Sequence, residues 1–234
     1  MLLCMKSGTI FKRIVPWLQS IKLSANLSMS LKKTLKASEQ ERDDIRKSRE
    51  EWRTFQAQTD VGRLVFLDES GMKTNMNRLY GRSYRGTRCH DTAPSGHWET
   101  VTLLSAIRLD GSAQSIVFEG SVDRAMFDEY IKQILAPTLK PGDIVALDNL
   151  SVHKSSTLQA AVAACQAKVK FLPAYSPDLN PIEKMWSKIK QALRSMKART
   201  DDELFSSIRI ALDMVTQDDA KGWFKSCGYI VHQY

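Results

Sequence analysis

Three carboxylates carry the chemistry this chain could do. Asp68 ends the apolar run of LVFLDES, Asp148 ends that of IVALDN, and Glu183 opens a helical pattern in SPDLNPIEKMW. Gathered at one point they would repel one another unless a cation lay between them, and an oxygen-only donor set of this charge suits Mg²⁺ or Mn²⁺. The chain around them is basic, with a net charge of +8. A metal-dependent acid cluster on a basic protein points to phosphodiester chemistry on nucleic acid.

Taken singly, each carboxylate has an ordinary alternative. Asp68 could be a strand-end turn residue, and Asp-Asn at 148 and 149 is a common turn signal after a buried strand. Asn180, Pro181 and Glu183 match the N-cap, first and third positions of a capping box, so helix initiation alone could account for them.

The elements that must position these groups read as α/β. Ser38 with Glu41 predicts a capped surface helix over residues 39–58, with a thin apolar stripe that includes Ile45, Trp52 and Phe55. Strands are predicted at 64–68, 100–108 and 114–119, the last two joined through Leu109-Asp110-Gly111 in a hairpin. Apolar residues from Phe127 to Leu135 fall at helical spacing before Pro137. A buried strand at 143–147, a helix at 155–165 and a fifth strand at 169–172 follow. The Pro173, Pro177, Pro181 loop then leads into a long helix over 181–197. Thr200 with Glu203 starts a further capped helix, and residues 218–234 read as a short helical tail. The order predicts a mixed five-stranded sheet flanked by helices.

Charge is unevenly placed. Residues 1–38 hold seven Lys/Arg and no acid, while the remainder is nearly balanced. Basic character recurs locally in residues 78–88, with Arg82, Arg85 and Arg88, and in residues 184–199, where six Lys/Arg occur without an acid. On the long helix, Glu183, Lys190, Arg194 and Lys197 fall on one face, opposite Ile182, Met185, Trp186, Ile189, Leu193 and Met196. That row could be a solvated surface or a track for DNA phosphates, and the loop arginines suit the same contacts. The four cysteines lack the paired spacing of zinc sites or disulfide frameworks, so free thiols in a reducing compartment are expected. No run approaches the roughly 18 apolar residues of a membrane span, so no membrane partner and a cytoplasmic location are expected.

The motifs FLDES, GRSYRGTR, PGDIVALDNLSVHK and LPAYSPDLNPIEKMWSKIK, in that order and with 34 residues between Asp148 and Glu183, resemble those of bacterial insertion-sequence DDE transposases of the six-thirty type, relatives of the mariner elements. The likeness runs from about Ser30 to the C-terminus. It implies a ribonuclease-H-like catalytic domain in which Asp68, Asp148 and Glu183 hold two divalent ions, with Asn149, His153 and Asn180 in support. It further implies cleavage of transposon ends by water and attack of the freed 3′-hydroxyl on target DNA at a TA dinucleotide, by a homodimer. Glu69 is expected on the opposite strand face, outside the metal set. The expected organisation is a basic arm and helix at 1–60, without the helix-turn-helix modules of full-length members, a catalytic domain at 61–200 and a helical tail at 201–234. The alternative is a remnant that binds DNA or a full-length transposase without transposing.

Overall fold

In the computed structural model, residues 37–78, 80–93, 95–149 and 155–231 are described. The described residues from Ser38 onward form one structural unit. Its centre is a five-stranded sheet in the order β3-β2-β1-β4-β5, with β1 at Leu64–Lys73, β2 at Thr100–Ile107, β3 at Ala113–Glu119, β4 at Ile144–Leu147 and β5 at Lys168–Phe171. β1, β2 and β3 pair antiparallel, whereas β4 lies parallel to β1 and β5 parallel to β4. This is the mixed, ribonuclease-H-like sheet expected from the sequence.

Among the described residues, six α-helices cover the two faces: α1 at Asp43–Gln58, α2 at Arg124–Tyr130, α3 at Ser156–Ala164, α4 at Ile182–Met196, α5 at Asp201–Asp213 and α6 at Gln217–Ser226. Strand alternation divides the core in two. Leu64, Phe66 and Ala146 pack with Trp52 of α1, with Ile182, Met185, Trp186 and Ile189 of α4, and with α5 and α6 through Leu204, Ile208 and Phe224. Val65, Leu67, Val145 and Leu147 pack on the other face against Phe127, Tyr130, Leu158 and Val162 of α2 and α3. Burial on both faces explains why β4 reads as a continuous apolar run rather than an alternating one.

Several boundaries depart from expectation for identifiable reasons. The capping box at Ser38 does not form. Ser38–Glu41 makes a tight turn, and α1 begins at Asp43 with two aspartates in its first turn, where the helix dipole favours them. β1 runs on to Lys73 because β2 pairs with it along that whole length. The α2 helix widens after Tyr130 into a turn in which the Ala136 N–H reaches back to the Ile131 carbonyl, and Pro137 sits in the closing turn. The capping box of Thr200 and Glu203 forms as expected. Thr216 and Asp219 build a second one at the start of α6. Gly111 takes a positive φ of 85° in the hairpin between β2 and β3, with its N–H bonded to the Arg108 carbonyl. Cys89, Cys165 and Cys227 are free thiols. Among the described residues, no helix is long and apolar enough to cross a membrane.

Candidate active site

The site begins with a register. Phe66 on β1 stands opposite Ala146 on β4 in the parallel pair. Two residues further along each chain are Asp68, within β1, and Asp148, directly after β4. Side chains two apart share a strand face, and Phe66 and Ala146 both belong to the core on the α4 side. Asp68 and Asp148 are thereby brought to the sheet face on which α4 lies. Glu183 is the second residue of that helix. All three carboxylates line one cleft of about 430 Å³, together with Asn149, Tyr175, Asn180 and the proline-rich segment between them. Glu69 pairs opposite Leu104 in an uninterrupted register, so it belongs to the other face.

The carboxylates sense one another. Asp68 is 8% exposed, and its carboxyl is pushed up to about 7, chiefly by burial and further by the negative charges of Glu183 and Asp148. Burial also raises Glu183; Asp148 adds to this, while the Lys190 ammonium opposes it. Among the described residues, no three His, Cys, Asp or Glu side chains are already drawn together as a ready-made metal cage. The donor set nevertheless fits a hard divalent cation: three carboxylates line one cavity, and burial together with the negative charges of the other two raises the pKa of Asp68.

Two residues whose part was not evident in the sequence hold this geometry. Trp186, one turn after Glu183, is buried as a core residue, but its indole Nε1–H also donates to Asp68 Oδ2 at 3.1 Å. Arg49 lies in line with Ile45 and Trp52 on the buried stripe of α1. Its guanidinium donates to Ser176 Oγ at 2.6 Å and to both oxygens of Asp178 at 2.9 and 2.7 Å. The cation on an apolar helix face was the available signal, since such a position demands a partner.

The capping explanation for Glu183 fails. The Asn180 N–H is bonded to the Pro177 carbonyl, and α4 begins at Ile182 without a side-chain cap. Glu183 is therefore not tied up in helix initiation. Asn180 is 4% exposed and its Oδ1 has no hydrogen-bond partner. Asn149 is exposed at the cleft. His153 lies outside the described residues.

The expected DNA-contacting residues are placed differently from one another. Arg82, Arg85 and Arg88 are exposed on the loop between β1 and β2, and none lines the carboxylate cleft. Lys190 is half-buried and close enough to Glu183 to oppose the rise in its pKa. Arg194 lines a separate groove with Arg78, Tyr80 and Lys188. Lys197 departs from the helix row. It caps α4 in the left-handed conformation, and its ammonium pairs with Asp91 at 2.5 Å. A larger hollow of about 640 Å³ lies away from the carboxylates, beside the Arg108–Asp143 ion pair.

Known proteins share this fold. The chain superposes on the Mos1 transposase paired-end complex with left transposon end and on the Mos1 mariner paired-end complex with Mn. In each case the TM-score is 0.65 at 14% identity, over 88% of this chain and 66% of the other. It is 25% identical over 96 residues to the transposable element Tcb1 transposase of Caenorhabditis briggsae, a match covering 39% of this chain and 35% of that protein. The matched segment thus spans about a third of that relative's length. The model of the DDE superfamily endonuclease family matches residues 63–205. That interval contains all three carboxylates and more than half of the sequence, and this chain accordingly belongs to the DDE superfamily endonucleases.

Proposed function

We propose that this protein is a transposase of the six-thirty-type insertion-sequence group, cutting DNA at transposon ends and joining the freed 3′ end to target DNA at TA. The observation that carries this reading is the meeting of Asp68, Asp148 and Glu183 in one cleft, with Asp68 raised by burial and by the other two. The fold shared with mariner paired-end complexes, one of them solved with Mn, supports it.

In this reading Asp68, Asp148 and Glu183 supply the oxygens that hold two divalent cations, Mg²⁺ or Mn²⁺. When bound, such a pair activates the attacking oxygen and stabilises the leaving one. Trp186 fixes the orientation of the Asp68 carboxylate through its indole N–H. Asn149 and Asn180 offer amide groups at the cleft wall. Lys190 and Arg194 take DNA phosphates beside the cleft, and Arg82, Arg85 and Arg88 take them from the loop. Lys197 joins them by exchanging Asp91 for a phosphate. The active form is a homodimer bound to two DNA ends, working in the cytoplasm on the nucleoid.

The test is plasmid nicking in Mg²⁺ and in Mn²⁺ by the wild-type chain and by Asp148→Asn, with substrates carrying or lacking the element's ends. Nicking by the wild type that disappears in Asp148→Asn is expected. Equal nicking by the two proteins would overturn the assignment of the carboxylates.

A further inference from the structure

Residues 172–177 and Asn180 line the cleft together with the carboxylates, and several hydrogen bonds hold this segment. Arg49 grips it from behind through Ser176 and Asp178. Ser176 donates in turn to the Ala174 carbonyl at 3.0 Å, and Gln40 donates to the Tyr175 carbonyl at 2.5 Å. Prolines at 173 and 177 restrict the backbone on either side.

Within this clamped segment Tyr175 is anomalous. Its φ is +54°, a left-handed conformation that is an outlier for a bulky side chain. Among the described residues, the other non-glycine positions with positive φ, Gln166 and Lys197, follow helix ends, where that conformation is common. Tyr175 follows no helix. The residue is left 49% exposed among those lining the carboxylate cleft instead of being folded into the core. Asn180, which lines the same cleft, is almost wholly buried with an unpartnered Oδ1. An exposed aromatic residue held in a strained backbone, on the same cleft as an amide oxygen lacking a partner, suits a planar group with polar edges.

We propose that Tyr175 is a stacking platform for an unpaired nucleobase, seating the nucleotide beside the phosphodiester presented to Asp68, Asp148 and Glu183. This rests on the nucleic-acid reading of the cleft. The ligand class is a single-stranded or frayed DNA end, because a base within a duplex has no free face to offer. Stacking needs the ring and not the hydroxyl, so any of the four bases is accepted, and the amide of Asn180 meets the base edge.

The experiment uses the full chain without added metal and short DNA duplexes with single-stranded 3′ ends carrying 2-aminopurine in the overhang. Wild type and Tyr175→Phe should quench the fluorescence equally. Tyr175→Ala should abolish the quenching and weaken binding of the overhang roughly 5- to 150-fold, the range for loss of one base–aromatic stack. Fully paired duplex should bind all three alike. Tyr175→Gly, which also relieves the positive φ, should behave as Tyr175→Ala, so misfolding of the alanine variant cannot produce the result. Undiminished quenching in both the Ala and Gly variants, or loss of quenching in Tyr175→Phe, would overturn the proposal. Metal-dependent nicking that persists when quenching proves independent of Tyr175 sinks the stacking role alone. Tyr175-dependent quenching without any nicking sinks the transposase reading alone.

Discussion

The indole Nε1–H of Trp186 donates to Oδ2 of Asp68 across 3.1 Å, linking a helix and a strand 118 residues apart in sequence. This bond couples the packing of α4 against the sheet to the orientation of a carboxylate in the cleft. Trp186→Phe keeps most of the buried area but leaves an acceptor unpaired. We expect it to cost about 2 kcal/mol at pH 8 and less at pH 5, where Asp68 is protonated and the bond is to a neutral group. Urea unfolding at the two pH values measures this, and a loss independent of pH would show that the bond to Asp68 contributes nothing.

Asp68 also sets a pH dependence. Its carboxyl rises on folding from an ordinary value near 4 to about 7, mainly through burial. Between those values the folded state binds more protons than the unfolded one, so stability falls as pH climbs through that window. The metal-free protein should therefore lose on the order of a few kcal/mol from this group between about pH 4 and pH 7. In Asp68→Asn that contribution should vanish, leaving a flatter profile of stability against pH in chemical denaturation.

Arg49 and Asp178 give the opposite sign. The Arg49 guanidinium holds the Asp178 carboxyl below its ordinary range. The stability this pair supplies is present above the unfolded pKa of Asp178 and is lost as pH falls through the depressed one. Because Asp178 is half exposed while Arg49 is 9% exposed, solvent screening reduces the Coulombic part, and stranding one partner accounts for most of the cost. Arg49→Met should destabilise by about 1–3 kcal/mol at pH 7 and loosen residues 173–180, seen as faster amide exchange there. Unchanged exchange in that segment would mean that the clamp is not what fixes the wall.

Lys190 lies near enough to Glu183 to act on its charge and Arg194 lines a separate groove, whereas Lys197 is engaged by Asp91. Replacing Lys190 or Arg194 with Ala should weaken binding to unrelated DNA sequences alike, and should lower the slope of log K against log salt by about one unit each. Lys197→Ala should change the slope less, because its contact with DNA must first displace Asp91. Fluorescence anisotropy across a salt series checks all three. Equal, unchanged slopes would assign the row to solvated surface.

Much of this molecule was legible in the order of residues. Periodicity located all five strands and most helices: β4 is a short apolar run, β5 alternates lysine with apolar residues, and α4 repeats its buried face every three to four residues. Boundaries failed where a partner decided them. β1 extends to Lys73 because β2 is there to pair with it, and α1 starts at Asp43 because the tight turn of Ser38–Glu41 forms ahead of it. The row Glu183, Lys190, Arg194, Lys197 assumed an unbroken helix. The left-handed cap at Lys197 ends the helix there, and the Lys197 ammonium pairs with Asp91.

The sequence by itself determined the three carboxylates and the elements bearing them, since strand ends and helix starts follow from local patterns of apolar residues and prolines. It left open whether Glu183 was a cap or part of a site. Tertiary structure removed the cap, by bonding the Asn180 N–H to Pro177, and brought Glu183 to one cleft with Asp68 and Asp148. Only the fold could set Trp186 against Asp68, Arg49 against Ser176 and Asp178, and Tyr175 in its strained position at the cleft. Those contacts join residues more than a hundred positions apart or rest on a backbone angle, and neither is encoded in the spacing of neighbours along the chain.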